Sequence, residues 1–142
     1  MVIVPFIPFH LRGLRLHESQ EYYKPFMCEE YGQMLFNLGP AYTVRYEEEA
    51  IMCAGIMMTG KDRAEAWALV SLHSGPAMLG ITRKVKEHLD GLNIKRIEAV
   101  VKDGFEEGHR WMKMLGFKCE TPDGMEAHHE DGGKNFLYAR IK

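Results

Sequence analysis

The sequence predicts a mixed α/β sheet: an antiparallel meander, then a β-α-β-α run, then a C-terminal hairpin. Three observations predict it. Residues 41–72 form three strand-length stretches joined by short polar turns. Residues 78–115 read as a helix, a β-branched strand and a second helix. Asn135–Ile141 returns to alternation, with Phe136 and Tyr138 set between Leu137 and Ala139. The chain has 142 residues with no repeat, linker or low-complexity tract, so one domain spanning 1–142 is expected.

In order, Val2–Phe9 is apolar and reads as an edge strand, since Pro5 and Pro8 cannot serve a central one. Pro25–Leu38 reads as a helix. Met27, Tyr31, Met34, Leu35 and Leu38 recur at its spacing, Glu29 and Glu30 suit its positive end, and Gly39-Pro40 stops it. Ala41–Glu47 alternates Tyr42, Val44 and Tyr46 with Thr43, Arg45 and Glu47, the pattern of a half-buried strand. Ala50–Thr59 is a second strand, in which Gly55 marks a bulge or a close backbone approach. Gly60-Lys61-Asp62 turns the chain into a third, Arg63–Leu72, and His73-Ser74-Gly75-Pro76 is a loop by composition.

Met78–Leu89 is a helix whose apolar stripe runs Met78, Ile81, Val85, Leu89 and on to Leu92. Arg83, Lys84 and Lys86 lie off it. Ile94–Val101 reads as a buried strand. Phe105–Leu115 is a helix closed by Gly116, and Lys118–Thr121 and Met125–His129 are further strand candidates.

Composition removes several classes of function. Lys plus Arg is 18 against 20 for Asp plus Glu, a formal charge of -2, so no strong field invites nucleic acid or an anionic membrane. No apolar run approaches the ~18 residues of a membrane span. The N-terminus has neither a basic leader nor a small-residue cleavage site, so it does not read as a signal peptide. Cys28, Cys53 and Cys119 lack zinc and disulfide spacing and read as buried thiols of a reducing cytoplasm. His128-His129-Glu130-Asp131 is dense in ligand types but has no helical histidine pair, and reads as a polar hairpin loop; no metal is expected. Trp67 and Trp111 read as core.

Three segments resemble the GNAT family, the GCN5-related N-acetyltransferases. Ala64-Glu65-Ala66-Trp67-Ala68-Leu69-Val70-Ser71 looks like its central strand. The loop and helix Leu72–Leu89 lie where the family binds the pyrophosphate of acetyl-CoA. His109-Arg110-Trp111-Met112-Lys113-Met114-Leu115-Gly116-Phe117 is similar to the end of its last helix. The element order agrees over nearly the whole chain, the motifs over about half. The resemblance implies a GNAT-like acyl-CoA N-acyltransferase fold, acetyl-CoA as cosubstrate and an amine acceptor attacked directly.

The resemblance also assigns roles. Glu65 is the candidate base, acting through a water, and His73, whose ordinary pKa of ~6.5 needs no tuning, is the second candidate. Leu69 and Val70 line the pantetheine. Gly75, Ala77, Met78, Leu79 and Gly80 offer backbone N–H groups to the pyrophosphate, and Arg83 reaches the phosphates. The chain departs from the family where Leu72 replaces the loop's Gln or Arg. Phe105 and Met112 replace an Asn and a general-acid Tyr of the last helix, and Pro76 removes one loop N–H. Glu47-Glu48-Glu49 reads as an acidic turn.

A closer resemblance is to a virion-morphogenesis protein family of short-tailed phages, itself GNAT-like with a worn cofactor loop. It implies an alternative: a catalytically silent protein that contacts phage structural proteins. Localisation follows as the host cytoplasm or the virion. Val2–Phe9 is a candidate pairing edge for a homodimer.

Overall fold

The computed structural model describes residues Met1–Lys142. Its strands are β1 (Val2–Pro5), β2 (Ala41–Tyr46), β3 (Glu49–Gly60), β4 (Arg63–Val70), β5 (Arg96–Lys102), β6 (Lys118–Cys119) and β7 (Asn135–Ile141). Its α-helices are α1 (Glu29–Leu38), α2 (Met78–Gly91) and α3 (Glu106–Met114). The strands form a mixed sheet in the order β1-β2-β3-β4-β5-β7-β6. This is the expected architecture: β1, β2 and β3 pair antiparallel, β4 and β5 pair parallel, and β7 pairs antiparallel with β5 and β6. No helix is long and apolar enough to cross a membrane.

The chain falls into two compact units, Met1–Met58 with Ala66–Ile81, and Thr59–Glu65 with Thr82–Lys142. The core of the first unit is Phe6, Leu11, Leu14, Leu16, Leu35, Cys53 and Leu69. Trp67 packs against it, edge-on to Phe6 at 5.9 Å. Gly55 makes the close approach its position implied: a Cβ there would stand 2.8 Å from Pro40 O and 3.0 Å from Trp67. A polar chain crosses this core. His10 Nδ1 accepts the Ile7 N–H and lies 2.7 Å from Thr43 Oγ, which is 3.6 Å from Cys53 Sγ. Burial pushes the Cys53 thiol up to about 11. His10 is lowered, first by burial and then by the Arg45 charge.

The core of the second unit includes Ile97, Ala99, Val101, Met112, Leu115, Phe117, Tyr138 and Ala139. Gly116 closes α3 at φ +90, the left-handed conformation glycine adopts without strain. His109 of α3 bonds Tyr138 and the Lys102 carbonyl, and Trp111 donates to Thr82. Arg96 binds Glu98 and Glu120, and Arg140 binds Asp90.

Several local expectations are corrected. The first strand ends at Pro5; Pro8 opens a 3-10 segment, Pro8–Gly13, because proline suits a first turn and cannot donate to a ladder. The first helix begins at Glu29 rather than Pro25, which lies inside a second 3-10 segment, Glu18–Phe26. Met125–His129 is not a strand: Met125 alone bridges to Asn135, and the rest is turn. Thr43 is fully buried and Tyr42 exposed, against simple alternation, because Thr43 finds its polar partners inside. Only Cys53 of the three thiols is buried; Cys28 is exposed and Cys119 intermediate.

Candidate functional site

The expected binding residues of the first unit lie together at the end of β4. A strand sends its backbone groups alternately to its two edges. Ser71 N–H donates to Ile51 O of β3 at 2.9 Å, so Ser71 faces β3. Ala68, Val70 and Leu72 therefore face the opposite edge. Near the start of β4 that opposite edge is a parallel ladder with β5, running from Arg63↔Arg96 to Glu65↔Glu98.

Past Glu65 that edge is held by another part of the chain. Leu16 forms an antiparallel bridge with Ser71. His17 N–H donates to Val70 O at 2.7 Å, and Leu72 N–H to Arg15 O at 2.9 Å. The Gln20 side chain adds two bonds: Val70 N–H donates to its Oε1 at 2.7 Å, and its Nε2 donates to Ala68 O at 2.9 Å. Gln20 is only 6% exposed, and this pairing is what makes its burial tolerable. Leu69 is buried, with its side chain in the core.

The loop that follows is tightly turned, so the N–H groups of Ala77 and Met78, expected to be offered to a pyrophosphate, are spent within it. His73 N–H donates to Ser71 Oγ, Ser74 N–H to Ser71 O, Ala77 N–H to Ser74 O and Met78 N–H to Gly75 O. The Ser74 hydroxyl also donates to Ser71 O at 2.8 Å. Gly75–Ala77 is one 3-10 turn leading into α2. Gly75 is exposed, with open space where a Cβ would stand; a Cβ on Gly80 would meet the Met1 side chain at 3.4 Å. Leu79, in the first turn of α2, is 71% exposed.

His73 has a partner that sequence reading missed: its Nδ1 lies 3.0 Å from Glu49 Oε1. The carboxylate holds the ring in place. Glu49 is the last residue of the acidic turn, where Glu47 and Glu48 both adopt positive φ. In the second unit, Glu65 is exposed on β4 with Glu98 as its register neighbour on β5, and Arg83 is exposed on α2. Buried Met112 fills the place of the expected acid.

Gln20 and the segment around it are the main residues sequence reading missed. Leu14 and Leu16 flanking Arg15 form a short alternation that carried a weak strand signal. Gln20 carried none.

No family model and no curated protein sequence matches the chain. Solved structures do match. Ard1 from Thermoplasma volcanium aligns with a TM-score of 0.75 at 14% identity, covering 99% of this chain and 96% of that one. An aminoglycoside 6'-acetyltransferase type Ii aligns at 0.72 and 17% identity, covering 99% and 97%. An acetyltransferase of the GNAT family from Bacillus anthracis aligns at 0.65 and 15% identity, covering 98% and 93%. At these identities the likeness is one of architecture: the chain has the fold of GNAT acyltransferases.

Proposed function

We propose that the chain is an acetyl-CoA-dependent N-acetyltransferase that passes acetyl to an amine by direct attack. One observation carries the reading. The outer edge of β4 presents Ala68 O, Val70 N–H, Val70 O and Leu72 N–H to an extended chain bearing amides, and it binds one in this structure. Pantetheine is such a chain, with two amides. A strand edge is a general docking rail for extended partners. The fold supports the reading, although fold alone does not assign function.

On this reading Val70 lies along the pantetheine, while Leu69, expected beside it, turns its backbone toward β3 and backs that edge from the core. Gly75, Ala77, Met78, Leu79 and Gly80 surround the pyrophosphate at the start of α2, and Arg83 offers charge. The amine nitrogen attacks the thioester carbonyl carbon, the C–S bond breaks and the thiolate leaves. Glu65 takes the ammonium proton through water, with His73 as the second candidate. A thiol with an ordinary pKa of ~8.5 gives a leaving group that tolerates the loss of a tyrosine acid.

A second reading is favoured by the occupied edge and the internally bonded loop. In it the fold serves protein contact without catalysis, as in phage particle assembly, in the host cytoplasm or the virion, with exposed β1 as a pairing edge for a second copy. Calorimetry with acetyl-CoA separates the two. Micromolar affinity, lost when Gly75 is replaced by a bulky residue, is expected of the transferase. Absence of binding at millimolar acetyl-CoA moves the assignment to the contact protein.

A further inference from the structure

We propose that Arg15–Gln20 is an inhibitory strap, a built-in occupant of the β4 edge that an acyl-CoA must displace. The inference deepens the transferase reading and rests on it. The strap engages the groups assigned to pantetheine: Arg15 O takes Leu72 N–H, His17 N–H takes Val70 O, and the Gln20 carboxamide takes Val70 N–H and Ala68 O. The Gln20 amide is chemically the same group as the amides of pantetheine. Replacing one by the other exchanges like bonds, so the buried polar atoms of β4 stay satisfied throughout. Without a replacement the strap has every reason to stay.

The strap is also built to move as a unit. It follows one 3-10 segment, Pro8–Gly13, and runs into the first turn of a second, Glu18–Phe26, and the hydrogen bonds of such segments are weaker than those of an α-helix. Gly13, at one end, has open space around it. Its anchors include Leu14 and Leu16 in the core, the buried Gln20, and the backbone bonds of Arg15 and His17 to β4. His17 helps keep the second segment wound, its ring nitrogen accepting the Ser19 N–H at 3.1 Å. An exchange between two bonded states of similar energy is the condition under which a ligand shifts a population.

The test uses the full chain and acetyl-CoA. Gln20→Ala removes both carboxamide bonds. Gln20→Glu keeps the acceptor for Val70 N–H, sets a carboxylate against Ala68 O and leaves no cavity, so it serves if the alanine variant fails to fold. Either variant is expected to bind acetyl-CoA about tenfold tighter than the wild type, the equivalent of one net hydrogen bond. In the unliganded variants the Val70 amide exchanges faster with deuterium, and acetyl-CoA restores its protection. A disulfide between Leu16→Cys and Ser71→Cys pins the strap. Oxidation is expected to abolish binding and reduction to restore it. Equal affinity in wild type and variants, with binding unaffected by the pin, overturns the strap and leaves the transferase reading standing. Failure of every variant to bind at millimolar acetyl-CoA overturns both.

Discussion

β4 is held along one edge in two different ways. Over Arg63–Glu65 its partner is the backbone of β5, in a parallel ladder. Over Ala68–Leu72 its partner is a short strap, and half of the contact comes from one side chain, Gln20. A backbone ladder is cooperative, since each bond positions the next. A carboxamide on a rotatable side chain gives two bonds and then releases both when a single torsion turns. The first half of the strand is thus scaffold, and the second half is where a ligand can compete.

The largest effect should come from the scaffold half. Ile97, on β5, is 1% exposed; Ile97→Ala is expected to cost about 2–5 kcal/mol in urea unfolding, by lost burial and the cavity left behind. Affinity for acetyl-CoA should be unchanged in the folded fraction. A change in affinity without a loss of stability breaks the comparison.

Gly55→Val should be next. Its side chain would drive into Pro40 O, Ala41 and Trp67, an overpacking of about 1–3 kcal/mol. Trp67 belongs to the second half of β4, so its fluorescence should shift with the loss. Gln20→Ala follows, at about 1–3 kcal/mol for the two groups left unpaired. Hydrogen exchange should speed at Val70 and not at Ile97, and uniform acceleration would mean that the two halves are one cooperative unit.

The smallest effect is a pH dependence that differs between the units. His10 has a folded pKa below its ordinary 6.5. Its contribution is fully present above about 6.5 and is lost as pH falls through that value toward the folded pKa. In the second unit, Asp90 is lowered by its bond to Lys86 and then by Arg140, and Glu120 by its bond to Arg96. Their stabilisation is present above the ordinary carboxylate values of 3.8 and 4.5 and is lost as pH falls through the lowered ones. Acid should therefore loosen the first unit earlier, once the pH falls below the ordinary 6.5 of His10, by backbone amide exchange. His10→Gln should flatten that early slope, and an unchanged slope would remove His10 from the account.

Strand and helix order was legible in the residues because it depends on local pattern. Val44 to Leu69 alternate or run apolar, Gly116 ends a helix, and β-branched residues mark β5; each acts within a few positions of itself. The loop and helix at Leu72–Leu89 were legible for the same reason, as the place where a strand ends and a helix begins. The pairing of Gln20 with Val70, of Glu49 with His73, and of Leu16 with Ser71 was not. These contacts join residues distant in the chain, and no periodicity connects a lone glutamine to a strand fifty positions on. The sequence by itself determined the order of the main strands and helices. Only the tertiary structure decided what covers the edge of β4, because an edge takes whichever polar group the folded chain brings to it.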